Sequence, residues 1–224
     1  MREMFDFHTH TLISDGDLIP AESVRRSEVS GYRMLGLSDH SDIATLPAQM
    51  PVIISAARTE NRNQGGVFVF AGTEITHVRP AQIGEAVKLA RDLGAWYVIV
   101  HGETLSEPVA AGTNRAAIEA GVDILAHPGL IGEDEVKLAA ERGVMLEISG
   151  KRGHCLANGH VARLARRHGA MLLFGSDSHT VGEMPTRDHA ERICLAAGLD
   201  PAEVDAMFAR AFDFGKKLRE RFGA

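Results

Sequence analysis

The chain has 224 residues, a formal net charge of −6, and 45% hydrophobic and 24% charged residues, which suits one domain with a sizeable core and offers no general attraction for nucleic acid or an anionic membrane. No apolar run approaches the roughly 18 residues that span a bilayer. Arg2, Glu3 and Asp6 do not read as a secretory signal, and Cys155 and Cys194 form neither a disulfide framework nor a CxxC pair. The expectation is a single cytoplasmic domain over residues 1–224, with no membrane partner.

The first stretch, Phe5-Asp6-Phe7-His8-Thr9-His10, is a short apolar run that ends in two histidines at i, i+2. On a strand that spacing turns both imidazoles to one face. Asp15 follows on a turn that Gly16 permits, and offers an oxygen ligand. Pro20 opens a helix through Val29 that Gly31 stops. Residues 33–38 read as a buried strand ending in Asp39-His40. A helix beginning near Pro47 to Pro51 is expected to reach about Asn63 before Gly65-Gly66. Residues 67–72 form the third strand, ending in Thr73-Glu74, and 80–93 a helix. The fourth strand, 96–100, ends in His101. A helix over 114–120 and a strand over 122–126 lead to His127-Pro128-Gly129. A helix over 133–142 and a strand over 144–148 lead to Ser149-Gly150-Lys151-Arg152. A helix over 159–168 and the last strand, 171–176, lead to Asp177-Ser178-His179. Helices over 187–197 and 201–221 close the chain, the last with Val204, Phe208, Ala211, Phe212 and Leu218 on one side to pack on a barrel wall.

Seven strands alternating with helices predict a parallel sheet with helices outside it. Near-continuous apolar strands fit a sheet buried on both faces. No GxGxxG follows the first strand and no Walker loop is present, which argues against a nucleotide-binding doubly wound sheet. The eleven histidines mostly follow apolar runs directly. His8/His10, His40, Glu74, His101, His127 and Asp177/His179 stand at or just past the ends of six strands, and in a β/α barrel those ends open on one face. Such a donor set, without cysteine, suits zinc, manganese or iron. It exceeds the needs of one tetrahedral ion, so two to three divalent ions sharing carboxylates is the economical reading. A cluster of that kind lowers the pKa of bound water and stabilises charge during in-line displacement.

The motifs His-Thr-His-Thr, Ser-Asp-Gly, Ser-Asp-His, Gly-Thr-Glu, the isolated His101, His-Pro-Gly and Gly-Ser-Asp-Ser-His follow one another in this order. In that combination the chain resembles the PHP family (polymerase and histidinol phosphatase) over nearly its whole length. The resemblance implies a distorted seven-stranded (β/α)7 barrel of TIM type carrying a three-metal cluster. By position, one ion would take His8, His10, Glu74 and Asp177. A second would take Asp15, His40 and His179. A third would take His101 and His127, with Glu74 bridging to the first. Some phosphatases of the family place a histidine one position after Asp15, where this chain has Gly16. The nucleophile the resemblance implies is a metal-bridging hydroxide.

The loop Lys151-Arg152-Gly153-His154 follows the sixth strand. Arg152 and Lys151 are the candidates for substrate phosphate, and His154 for a proton donor to the leaving oxygen. Arg187 is a further candidate for substrate binding. Glu103 and His77 are candidates to orient an imidazole, with a plain loop role favoured for His77. His160, His168 and His189 fall away from the strand tips, and both cysteines read as small apolar residues. The expected activity is hydrolysis of a small phosphorylated metabolite of the histidinol-phosphatase type. The alternatives are a phosphodiesterase or exonuclease on short nucleic acid, disfavoured by charge and few aromatics, and a non-catalytic metal-stabilised module. Nothing in the sequence assigns an oligomeric state.

Overall fold

Short apolar strands and amphipathic helices alternate along the chain, and every strand pairs in parallel with its neighbours. The computed structural model describes residues 3–62 and 66–223. Arg2, Asn63 and Gly65, which enter the sequence reading, lie outside them. The elements are β1 (Met4–Asp6), α1 (Pro20–Val29), β2 (Tyr32–Leu37), β3 (His40–Ser41), α2 (Leu46–Asn61), β4 (Phe68–Ile75), α3 (Pro80–Asp92) and β5 (Tyr97–His101). There follow α4 (Thr113–Glu119), β6 (Ile124–Ala126), α5 (Glu133–Arg142), β7 (Met145–Ser149), α6 (Asn158–His168), β8 (Leu172–Gly175), α7 (Arg187–Ala196) and α8 (Pro201–Phe222).

Seven of these strands run in the order β1-β2-β4-β5-β6-β7-β8, as the alternation predicts. The two-residue β3 is additional: it pairs with β4 and sets His40 beside Glu74. The sequence places His40 at or just past the end of the second strand, without a short strand of its own. It also ends the third strand at residue 72, whereas β4 continues through Glu74, which is fully buried. The barrel nearly closes between β1 and β8. Thr9 and Ser178 make a lone parallel bridge, His10 N donates to Ser178 O (2.9 Å), and Asp177 N donates to His8 O (2.9 Å). The buried Asp6 reinforces the seam by accepting from His8 N (3.1 Å) and Ser176 N (3.2 Å).

The barrel interior is filled from its amino-terminal end. Tyr97 reaches from β5 across β4 and β2 to donate its hydroxyl to Phe7 O at 2.6 Å. A Cβ at Gly36 or Gly72 would overlap the Tyr97 side chain, so only glycine lets the ring lie there. Phe7 packs on Phe70 (5.2 Å between centroids) and on Phe214 of α8 (5.0 Å). Each buried ring stabilises the fold by about 1.5–3 kcal/mol. Helix α8 begins with a reciprocal cap, Asp200 accepting from Glu203 N (2.9 Å) and Glu203 from Asp200 N (2.8 Å). It packs on β1, β4 and β8, and stacks Phe222 on Trp96. That end is apolar and filled, which leaves the opposite end for polar side chains.

Candidate metal centre

His8 and His10 lie just beyond β1. The Thr9 hydroxyl between them donates to Gly36 O (2.6 Å), which turns its two neighbours to the other face. The next loop is folded by a residue the sequence reading passed over as a site residue. Buried Asp39 accepts from Thr11 N (2.8 Å), Ser14 N (3.1 Å) and Ser14 Oγ (2.9 Å) through Oδ1. Asp15 is thereby carried to the strand ends, with Oδ2 3.6 Å from His40 Nε2 and Oδ1 3.3 Å from His179 Nε2. The two imidazoles are 3.4 Å apart at their Nε2 atoms.

Two carboxylates sit at the middle of the cluster. Glu74 Oε1 is 3.4 Å from His8 Nε2 and 3.5 Å from His127 Nε2, and its Oε2 is 2.7 Å from His40 Nδ1. Asp177 Oδ1 is 3.1 Å from His10 Nε2 and 3.7 Å from His8 Nε2. Its Oδ2 is 3.5 Å from His154 Nε2. Holding donors so close strains the backbone. His77, His127 and Asp177, at φ of 54°, 26° and 53°, are the non-glycine residues in the left-handed region among the described residues, and all three are at this site. Such a conformation costs about 1–3 kcal/mol and persists only where the surroundings impose it.

The donors fit divalent ions. Buried His8 Nε2, His10 Nε2, His127 Nε2, Glu74 Oε1 and Asp177 Oδ1 have no hydrogen-bond partner, an arrangement that costs free energy unless a cation meets the lone pairs. Most separations between facing donors exceed a good hydrogen bond, and they match the edge of about 3.3 Å that a tetrahedral ion with bonds near 2.0–2.1 Å imposes. His10, Asp15, His40 and His179 place donor atoms within 4.8 Å of one another, as do His8, Glu74 and His127, and His8, His10 and Asp177. His8 is oriented from behind. Glu147 Oε2 lies 2.5 Å from its Nδ1, the carboxylate–imidazole arrangement that fixes the tautomer of a ligating histidine.

Charge couples these groups strongly. Burial disfavours the charged form of His8, but Glu147, Glu74 and Asp177 outweigh it and hold its pKa well above the usual imidazole value. His40 follows the same pattern against Glu74 and Asp15, and rises to about 9. His10 is governed by burial and falls to about 4. Burial opposes ionisation of Glu74, Asp177 and Asp15, yet the surrounding imidazoles keep all three carboxyls below their ordinary range.

A cavity of about 610 Å³ opens over the cluster, lined among others by Asp15, His40, His101, Glu107, Lys151, His154, Asp177 and His179. Lys151 holds its place by bonding Glu183 Oε2 (2.9 Å) beside His179 Nδ1 (3.0 Å). Arg152 does not share that position: it is exposed and absent from the lining, because the turn after β7 sends consecutive side chains in different directions. Arg187 is also elsewhere. It is bound to Glu191 (2.8 Å) and Glu3 O (3.1 Å), with its guanidinium over the Phe208 ring, so it braces α7 against α8. His154 is buried, with Nδ1 2.6 Å from Thr104 Oγ1 and 3.0 Å from Ser106 Oγ. Burial, with His127 beside it, lowers its pKa to about 4. Because Thr104 and Ser106 can each donate to or accept from Nδ1, the neutral ring presents either a lone pair or an N–H at Nε2, depending on its tautomer.

Glu103 accepts from Gly112 N and Asn114 N (3.0 Å each) and organises the start of α4 instead of an imidazole. His77 lines the cavity and lies 3.2 Å from Glu107. Glu107 and Glu147 were missed. A lone acid inside the apolar run 144–148 was a readable signal for Glu147. Glu107 stands in an irregular loop and gave none. His160 bonds Ile131 O (2.8 Å), away from the cluster.

The chain is 40% identical over 202 residues to an uncharacterized protein of Methanocaldococcus jannaschii, covering 90% of this chain and 93% of that one. It is 28% identical over 218 residues to a protein of Shewanella halifaxensis named probable phosphatase, covering 86% and 84%. No family model matches the chain. Among solved structures, its fold is similar to a histidinol phosphate phosphatase from Lactococcus lactis complexed with zinc, L-histidinol and phosphate. The TM-score there is 0.61 at 15% identity, covering 89% of this chain and 95% of that one.

Proposed function

We propose that this chain, which belongs to the PHP (polymerase and histidinol phosphatase) family, is a metal-dependent hydrolase that releases phosphate from a small phosphate monoester. The observation that carries this reading is the convergence of buried, partnerless imidazole and carboxylate lone pairs beneath an open cavity. His8, His10, Glu74 and Asp177 would hold one ion, Asp15, His40 and His179 a second, and His101 and His127 a third, with Glu74 placed to serve the first and third. Zinc, manganese or iron suits these donors, and the zinc and phosphate of the Lactococcus lactis structure support both the metal and the substrate class. Ions held there would supply the positive charge that favours hydroxide over water near neutral pH and neutralises the phosphate.

The protein's own groups do the rest. Lys151 is the one lysine or arginine among the described residues lining the cavity, and it takes a phosphate oxygen there as a point charge. Its tie to Glu183 presets its position, so less side-chain entropy is lost on binding. Glu147 keeps the His8 ring turned to the ions. Asp15, Glu74 and Asp177 repel a phosphate dianion until ions neutralise them, so metal binding precedes substrate binding.

The test is inorganic phosphate release from L-histidinol phosphate and a panel of other small monoesters, using protein stripped with chelator and reconstituted. Release that is lost in Asp177→Ala is the expected result. A folded, metal-loaded protein that releases phosphate from none of them overturns the reading. Cleavage of oligonucleotides alone would move the assignment to a phosphodiesterase.

A further inference from the structure

Four side chains meet on the side of the site supplied by β5, β6 and β7. His101 ends β5, His127 follows β6, and His154 opens a short 3-10 turn after β7. All three rings are buried, and their donor atoms lie within 4.8 Å of one another. Glu107, from the loop after β5, spans the open side of this trio. Its Oε2 is 3.1 Å from His101 Nε2 and its Oε1 is 3.4 Å from His154 Nε2.

The tautomers make this arrangement informative. His101 Nδ1 faces Gly102 O at 3.2 Å, which only accepts, so Nδ1 carries a proton, and in the neutral ring Nε2 turns a lone pair to Glu107. His154 Nδ1 is held by Thr104 and Ser106, and His127 Nε2 has no partner at all. A carboxylate facing imidazole lone pairs is repelled unless a proton or a metal ion stands between them. The motifs that place His101 and His127 at a third ion include neither Glu107 nor His154.

We propose that Glu107 and His154 join His101 and His127 as direct ligands of the third ion, enclosing it in three imidazoles and one loop carboxylate. This rests on the reading that the chain binds divalent ions in this cluster. The three imidazoles are buried, whereas the Glu107 side chain is 38% exposed, so the carboxylate is the ligand that closes the sub-site toward the cavity. His77, with Nε2 3.2 Å from Glu107 Oε2 on the solvent side, steadies the carboxylate from behind. The three imidazoles and the Glu107 carboxylate, together with the shared Glu74, make a nitrogen-rich set of five donors, which suits zinc and its spectroscopic substitute cobalt(II).

The experiment uses the whole chain, stripped with chelator and titrated with cobalt(II). It reads bound equivalents by elemental analysis after desalting, and the visible absorption of the bound ions. Glu107→Gln and His154→Gln are compared with wild type and with Lys88→Ala on the exposed face of α3, circular dichroism reporting the fold. The expected result is that each of the two variants keeps the fold but loses one equivalent, or holds it at least about tenfold more weakly, with a changed cobalt spectrum. Lys88→Ala matches wild type. Wild-type stoichiometry, affinity and spectrum in both variants overturn the proposal and leave the metal-cluster reading standing. Loss in His154→Gln alone overturns the assignment of Glu107. A folded wild type that binds no cobalt, zinc, manganese or iron overturns the underlying reading as well.

Discussion

The two ends of the barrel are made by the same strands, yet they solve opposite problems. At the amino-terminal end, Phe7, Phe70, Tyr97 and Phe214 fill the interior, and the Tyr97 hydroxyl among them is paired with Phe7 O. At the carboxyl-terminal end, buried nitrogen and oxygen atoms of His8, His10, His127, Glu74 and Asp177 are left without partners, and the backbone bends into the left-handed region at His127 and Asp177. One end is therefore a source of stability and the other a cost that the first must offset. The division teaches where to expect each substitution to act. Changes at the strand tips should alter chemistry with the fold kept, and changes at the floor should alter stability with the chemistry kept.

The largest expected effect is at the polar end. Asp177→Ala removes a carboxylate that faces His8, His10 and His154, and phosphate release should fall by about a thousandfold or more. Chelation of the wild type should do the same, with far-ultraviolet circular dichroism unchanged. Unfolding on chelation would break the comparison, because it would make the ions structural supports. Glu147→Gln is a smaller probe of the same end. It keeps the shape behind His8 but weakens the bond at Nδ1, and metal affinity should fall by about 10–100-fold in a competition titration. Unchanged affinity would show that the His8 tautomer needs no carboxylate behind it.

At the packed end, Gly72→Ala places a methyl group against the Tyr97 ring. The expected cost is about 1–3 kcal/mol, read as a thermal midpoint lower by roughly 2–4 °C per kcal/mol for a chain of this size. Metal content should stay at the wild-type value. Loss of metal without loss of stability would show that the Tyr97 floor positions the donors as well as filling the barrel.

The strand ends were legible in the sequence because each strand is short, apolar and stopped by a polar residue, as at Val100-His101 and Ala126-His127. Their gathering on one face followed from parallel βα alternation. What the pattern left out depends on geometry that local periodicity does not encode. The third strand is expected over 67–72, with Glu74 at or just past its end, but Gly72 makes room for Tyr97 and β4 runs on through Glu74. Arg152 and Lys151 are adjacent, and only the turn after β7 decides which of them meets the cavity. Glu107 reaches His101 by a path through an irregular loop, where no spacing rule applies.

The smallest expected effect tests whether the two ends are separable. Cys194 on α7 is fully buried, and burial pushes its thiol up to about 12 despite the nearby Arg187. At pH 8 the thiol stays protonated, and the ring of helices keeps reagent away from it. Above the ordinary thiol range the unfolded chain gives up this proton and the folded chain does not, so stability declines as the pH climbs from about 9 toward 12. Iodoacetamide at pH 8 should modify the half-buried Cys155 and leave Cys194 untouched, as read by peptide mass spectrometry. The same pattern should hold after the ions are stripped, because α7 braces on α8 through Arg187 and Phe208 rather than through the cluster. Alkylation of Cys194 on metal removal would mean that emptying the polar end loosens the helices outside the barrel, and that the filled end is stable only while the cluster is held.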